Sequence, residues 1–261
     1  MQQPSAGNDR VRAGAHDAPQ PAEGLAGRVV VVTGGASGLG AATCAELGAA
    51  GARIVVADLA EERARSCAAQ LGEMGVETAA AAVDVGDEGQ VQRLFAQVLE
   101  RFGAVDAVVN SAAIDITAPM SQLAPSDWER IVRTNLTGVF LVSRQACAAM
   151  AGRAGAIVNV ASTASKRAWP NASAYHATKW GVLGLSHALH AELRPRGIKV
   201  CAVVAGGMRT PFLLDRFPDI DPSLLQDPRN VARAIRFVLE QPAETVIPEM
   251  MVLPMRETSW P

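Results

Sequence analysis

The chain of 261 residues predicts an α/β fold: one doubly wound parallel sheet with helices on both faces. Three observations predict it. Short runs that are apolar at every position alternate with longer segments of helical periodicity. The first such run leads directly into a glycine-rich turn, Thr33-Gly34-Gly35-Ala36-Ser37-Gly38-Leu39-Gly40, which opens a helix. No repeat of fixed period and no linker interrupts the alternation.

Residues 1–27 carry Gln, Pro, Gly, Ala and Asp without apolar periodicity, and are expected to form a disordered N-terminal tail. Packing is expected from Arg28–Thr33, where Val29-Val30-Val31-Val32 suits a strand covered on both faces. A helix follows from about Leu39 to Ala50, ended by Gly51, and Arg53–Asp58 is the second strand. The pattern continues as helix Ala60–Met74, strand Glu77–Val83, helix Glu88–Phe102 and strand Val105–Asn110. Ser126–Ala151 predicts one long helix, with Ser126 or Asp127 as N-cap and Pro125 just outside it. Strand Ala156–Ala161, helix Ser173–Leu193 and strand Ile198–Val204 come next. Helix Asn230–Glu240 and strand Thr245–Val252 complete the set. Right-handed crossovers then give the doubly wound arrangement.

Composition narrows the function classes. Lys plus Arg number 24 and Asp plus Glu 26, a net charge of −2 that makes no case for nucleic acid or an anionic membrane surface. No apolar run reaches the ~18–20 residues that span a bilayer. The N-terminus has no basic start followed by an apolar stretch, so no secretory signal is expected. Cys44, Cys67, Cys147 and Cys201 lie far apart, without a CxxC or Cys/His cluster; they read as reduced, packed thiols of a cytoplasmic protein with no metal. His187 and His190, three apart on a helix with no evident carboxylate partner, read as packed or solvated.

The glycine-rich turn has the spacing Gly-x-x-x-Gly-x-Gly. Gly34 permits a tight turn, Gly38 lets backbone approach a diphosphate, and Gly40 lets the helix pack closely on the sheet. The helix N-terminus at Ser37, Gly38 and Leu39 offers free N–H groups to phosphates. An ordinary βα loop would also fit. Asp58 ends the second strand, where a carboxylate accepts from ribose hydroxyls and repels a 2′-phosphate. It also fits a cap for the helix beginning at Ala60. No Arg or Lys occupies Ala36 or Ser37, so NAD is favoured over NADP. Leu59 follows Asp58, and Asp84-Val85 after the third strand is placed to touch the adenine.

Tyr175 is the sole tyrosine. Lys179 lies four residues later, on the same helix face. A phenol of pKa ~10 is too weak an acid for proton exchange at neutral pH. A neighbouring ammonium and an oxidised nicotinamide would favour the phenolate. Ser162 follows a strand, at the carboxyl edge where doubly wound proteins bind ligands, and can hydrogen-bond the same oxygen. A half-buried tyrosine beside a solvated lysine is the alternative.

Taken in order, these motifs resemble a short-chain dehydrogenase/reductase over about Leu25–Val252, a Rossmann-type fold. Thr33–Gly40 resembles the family's TGxxxGxG, and Asn110-Ser111-Ala112-Ala113 its NNAG, altered to small residues at the second and fourth positions. Asn135 matches the helix asparagine, and Ser162, Tyr175 and Lys179 match the remaining catalytic positions. The resemblance implies hydride exchange between NAD(H) and a secondary alcohol or ketone. In it Tyr175 is the acid/base, Lys179 lowers the Tyr175 pKa and holds the nicotinamide ribose, Ser162 steadies the substrate oxygen, and Asn135 holds a water. Asn110 and Ala112 would lie under the adenine and ribose, and Met208 and Thr210 beside the carboxamide. Ala205-Gly206 replaces the family's Pro-Gly, and Pro248–Pro254 a glycine-rich finish.

The resemblance makes 28–261 a dinucleotide-binding catalytic domain with a substrate lid at about 208–228. That segment carries Phe212, Leu213, Leu214, Phe217, Ile220, Leu224 and Leu225, and docking on the domain core would equally use them. Ile114, Asp115, Ile116, Thr163, Trp169 and His176 are candidate pocket residues. Helices Ser126–Ala151 and Ser173–Leu193 make the dimer contact in that family, so a homodimer or homotetramer is expected. Two other readings are a non-catalytic NAD(H)-binding regulator and an NADP(H)-dependent 3-oxoacyl-type ketoreductase.

Overall fold

The computed structural model describes residues 24–257. Among the described residues, seven parallel strands form one sheet: β1 (Val29–Thr33), β2 (Arg53–Asp58), β3 (Thr78–Ala82), β4 (Ala107–Asn110), β5 (Gly155–Ser162), β6 (Ile198–Ala205) and β7 (Glu249–Val252). Their spatial order is β3-β2-β1-β4-β5-β6-β7. The chain winds outward from β1 through β2 to β3, then crosses back to place β4 on the other side of β1. Val30 pairs with both Ile54 and Ala107, so β1 is the hinge of the two windings. Ligands enter such sheets at the carboxyl ends beside that reversal.

The all-apolar strands are explained by two cores. Val30, Val32, Ile54 and Val56 point to one face, against Leu39, Cys44 and Leu47 of α1 (Gly38–Ala49), Ala64 and Leu71 of α2 (Glu61–Glu73) and Ile235 of α8 (Pro228–Leu239). Val29, Val31 and Val55 point to the other, against Val91, Leu94 and Phe95 of α3 (Glu88–Phe102) and Val142 of α5 (Gly138–Ala149). The period of two sorts alternate residues to opposite faces, and both faces are apolar because both are covered. On the second face, Val182 and Leu183 of α6 (Ser173–Leu193) cover Ala202 and Val204.

Several boundaries differ from expectation. Residues 1–23 of the expected tail lie outside the described residues; of the rest, Leu25 is already buried in the first core, and its carbonyl accepts from Arg28 N at 3.0 Å. The helix expected at Ser126–Ala151 is divided into α4 (Pro125–Val132), a π-helical turn Arg133–Thr137 and α5. Pro125 is inside α4 at its first turn, and the capping position is Ala124. Helix α8 starts at Pro228 rather than Asn230, because Asp227 accepts from Arg229 N at 2.8 Å as its cap. The last strand is shorter than Thr245–Val252, pairing with β6 only from Glu249 to Val252. Between β6 and α8 lies the short helix α7 (Pro211–Leu214). Among the described residues, no helix is long and apolar enough to cross a membrane.

Candidate active site

A cleft of about 750 Å³ runs along the carboxyl ends of the strands, on both sides of the β1–β4 junction. One end is built by the glycine turn. Gly34 has φ +64°, and a Cβ there would lie 2.8 Å from the Ala112 backbone, so only glycine lets the β1 and β4 loops meet. A Cβ on Gly40 would lie 1.9 Å from the Gly34 carbonyl oxygen, which fixes α1 directly on the turn. Ser37 caps α1 without a side-chain hydrogen bond, and no acid stands in the first helical turn. The orphan N–H groups and positive end of the helix therefore face the cleft, a donor set that fits a diphosphate.

Asp58, 8% exposed, accepts from Ala36 N at 3.1 Å and from Ala60 N at 3.0 Å. It ties the glycine turn to the residue before α2, whose cap position is Ala60 without a side-chain cap bond, and it lines the cleft. Leu59 stands beside it, 74% exposed, as an apolar wall. Asp84 and Val85 line the next stretch, where Asp84 is ion-paired with Arg133. Met208 and Thr210 line the far wall, and Thr210 touches the Gly38 position, 3.3 Å from where its Cβ would be. Gly34, Ser37, Gly38, Leu39, Gly40 and Ala112 all line the same cleft.

Asn110 and Asn135 are placed differently from expectation. Asn110, 3% exposed, stands behind the cleft wall: its Nδ2 donates to Asn159 Oδ1 at 2.8 Å and Ser143 Oγ at 3.2 Å. This braces β4 against β5 within a buried polar chain that continues to Ser186. Asn135, 1% exposed, uses both ends of its amide on one residue, accepting from Ile114 N and donating to Ile114 O, each at 2.8 Å. Its side chain thus pins the loop after β4, and its Nδ2 also reaches Thr178 Oγ1 at 3.3 Å. The π-helical turn carries Asn135 to this position, and Gly138 beside it packs against Val85, 2.7 Å from where a Cβ would be.

Ser162, Tyr175 and Lys179 converge at the other end of the cleft. Ser162 Oγ accepts from Ala164 N at 3.1 Å, which leaves its proton to donate into the cleft. Lys179 Nζ donates to Val160 O at 2.8 Å and lies 5.6 Å from the centre of the Tyr175 ring. Burial raises the Tyr175 phenol to about 12, against an opposing pull from Ser162. In the chain by itself, then, desolvation outweighs any help from Lys179. The amine is aimed at a carbonyl rather than at the phenol oxygen. Burial lowers Lys179 from 10.5 to about 8.

That depression has a consequence for stability. Below about pH 8 the amine is charged in the folded and unfolded chains, and the full cost of burying it is felt. Between about 8 and 10.5 the unfolded chain keeps the Lys179 proton that the folded chain has lost, so the contribution of this one group to stability rises with pH. Lys179→Met is expected to remove that rise, worth on the order of 3 kcal/mol. Urea unfolding of both proteins from neutral to alkaline pH measures it.

Residues absent from the sequence-based set also line the cleft: Arg63 on α2, Arg133, Arg216 between α7 and α8, and Glu257, whose Oε2 accepts from Gly207 N at 3.1 Å. No local motif marks them, because each arrives from a separate loop or helix face. Of the candidate pocket residues, Ile114, Asp115, Thr163 and Trp169 line the cleft. His176 stands behind it, with Nε2 accepting from Trp169 N at 3.1 Å and Nδ1 2.9 Å from Ala164 O. His187 does have a carboxylate partner, Glu249 at 3.0 Å, which also binds Lys166 at 2.7 Å. Sequence distance hid this contact between α6 and β7.

The short chain dehydrogenase family model matches residues 28–221. The chain belongs to that family. It is 36% identical over 235 residues to cis-4-hydroxycyclohexanecarboxylate dehydrogenase of Sinomonas cyclohexanicum, covering 86% of this chain and 94% of the relative. Its fold matches the 3-ketoacyl-(acyl-carrier-protein) reductase of Brucella melitensis complexed with NADH, with TM-score 0.81 and 30% identity over 89% of this chain and 99% of the other. It also matches a single-substitution variant of actinorhodin polyketide ketoreductase with NADPH, with TM-score 0.82 and 33% identity over 88% and 97%. The protein is thus an NAD(P)-dependent oxidoreductase that exchanges hydride with a secondary alcohol or ketone.

Proposed function

We infer that the chain is an NAD(H)-dependent dehydrogenase of an apolar secondary alcohol, with Tyr175 as its acid/base. The convergence of Ser162, Tyr175 and Lys179 on one end of a cleft that begins at the glycine turn carries this reading. The glycine turn and the first turn of α1 hold the diphosphate, Asp58 the adenosine ribose, and Lys179 the nicotinamide ribose. Bound NAD supplies the hydride acceptor. Tyr175 takes the hydroxyl proton from the substrate, and Ser162 donates a hydrogen bond to the same oxygen. Asn135 keeps the loop at Ile114 in place beneath them.

Residues 208–228 serve as the cover of the substrate end. Phe212, Leu213, Phe217, Ile220, Leu224 and Leu225 face the cleft from it, which suits an apolar, ring-sized substrate. A screen of cyclic and open-chain secondary alcohols and their ketones, read by nicotinamide absorbance, tests this. Turnover of an apolar alcohol is expected; tight NAD binding with no turnover of any would favour a regulator.

NAD is the preferred cofactor because the buried carboxylate of Asp58 opposes a 2′-phosphate. Arg63 is the observation that favours NADP, since this residue lines the same end of the cleft. Asp58→Asn keeps the side-chain size, removes the charge and leaves one of the two backbone N–H groups without its acceptor, so the ratio between the two cofactors, and not either rate alone, is the readout. The substitution is expected to shift the NAD-to-NADP ratio of kcat/KM toward NADP by ~10-fold or more; an unchanged ratio would assign the choice elsewhere. A homodimer or homotetramer in the cytoplasm belongs to the same reading. Its support is the half-exposed Trp128, Phe140 and Trp180 on α4, α5 and α6.

A further inference from the structure

Asp115 and Arg216 form an ion pair across the mouth of the cleft, 101 residues apart in sequence. The Asp115 side chain is 4% exposed and that of Arg216 20%. Asp115 belongs to the loop after β4 that Asn135 pins at Ile114. Arg216 belongs to the segment between β6 and α8. Three contacts hold the guanidinium in place besides the carboxylate. Its Nε donates to Phe212 O at 2.7 Å, and its centre lies 4.1 Å from the Phe212 ring centroid and 5.5 Å from that of Phe217. The Phe212 ring in turn lies 5.8 Å from the Tyr175 ring. A continuous chain of contacts therefore joins Asp115, Arg216, Phe212 and Tyr175.

We propose that Asp115 and Arg216 are positioning residues that fasten segment 208–228 to the loop after β4 and so hold Phe212 against Tyr175. The inference rests on the reading of Tyr175 as the acid/base. A charge pair of this burial is costly to break from one side, because the remaining charge is left without its partner. Asp115 Oδ1 is already buried without a hydrogen-bond partner, so little else is available to compensate for a lost guanidinium. Arg216 in a fixed position also aligns the two phenylalanine rings by stacking.

The pair acts on Tyr175 electrostatically too. The groups facing the phenol are Ser162 from β5, Lys179 from its own helix, Asp115 from the β4 loop and Arg216 from the cover. Asp115 raises the phenol's pKa and Arg216 lowers it. Asp115 itself is held up by burial and drawn down by Arg216, with the Ile116 amide and His176 beside it. The tyrosine titration therefore reads the charges that face the phenol, and the exchange of the cover reads the fastening.

The test uses the full chain with Arg216→Gln, Arg216→Lys and the near-isosteric Asp115→Asn. Hydrogen exchange of the 210–217 amides reports the fastening. It is expected to quicken by at least ~10-fold in Arg216→Gln and Asp115→Asn, with partial recovery in Arg216→Lys. Titration of the single tyrosine reports the field: its ionisation is expected at higher pH in Arg216→Gln and at lower pH in Asp115→Asn. Unchanged exchange in both neutral variants would overturn the proposal, and a tyrosine midpoint unmoved in both would remove the pair from the surroundings of the phenol. Both readouts need no substrate. Full turnover by Tyr175→Phe would remove the acid/base reading while leaving the fastening result standing.

Discussion

Replacing Tyr175 by phenylalanine is expected to lower kcat by ~10²–10⁴-fold. The substitution keeps the aromatic ring that lies 5.8 Å from Phe212 and removes only the hydroxyl. Packing is preserved, and the change in stability is expected to stay within ~1 kcal/mol. NAD affinity should be nearly unchanged, because the glycine turn, Asp58 and Lys179 are untouched. The signature is therefore a loss in kcat with the cofactor dissociation constant intact. Steady-state rates and a cofactor titration monitored by tryptophan fluorescence measure the two quantities. Retained turnover would transfer the proton chemistry to another group, and Ser162 is the neighbour that would have to carry it.

The second large effect is expected at Gly40. An alanine Cβ there would lie 1.9 Å from the Gly34 oxygen and 2.7 Å from the Gly34 carbon. Both are backbone atoms and cannot rotate aside, so either the turn or α1 must move. Overpacking of this kind costs ~1–3 kcal/mol, which at ~2–4 °C per kcal/mol lowers Tm by several degrees. The moved element is the one that presents N–H groups to the diphosphate. A displacement near ~1 Å is enough to cost ~100-fold in kcat/KM for the cofactor. Gly72→Ala is the matched control, since nothing lies within 4 Å of its Cβ position on α2. It is expected to leave cofactor kinetics unchanged and to stabilise slightly. Thermal melts and NAD titrations of both variants distinguish a general intolerance of alanine from the specific contact at Gly40.

Most strands can be read from the sequence because each is short, rich in Val or Ala, and covered on both faces. The order Ser162, Tyr175, Lys179 is legible for a related reason: two of the three share one helix face, and the third ends a strand beside it. What does not show is long-range or hidden in helix geometry. The π-helical turn at Arg133–Thr137 leaves the apolar pattern of its neighbours intact, so Ser126–Ala151 reads as continuous. Asn110 carries a family motif yet faces the β4–β5 seam, where its Nδ2 finds Asn159 and Ser143 while its Oδ1 is buried without a hydrogen-bond partner. Asp115 and Arg216 lie on two loops whose meeting only the crossover at β4 decides. Spacing brings Lys179 and Tyr175 together on one helix face, and in the chain by itself burial governs both groups.

That last point leaves a direct measurement. Tyr175 is the only tyrosine in the chain, so its ionisation can be followed without interference from another phenol, by ultraviolet difference spectra or a single labelled NMR resonance. The chain alone should titrate near about 12. Saturation with oxidised NAD should move the midpoint markedly lower, as positive charge enters the cleft beside Lys179. A midpoint that stays in place when NAD is bound would contradict the assignment of this phenol as the proton-exchanging group.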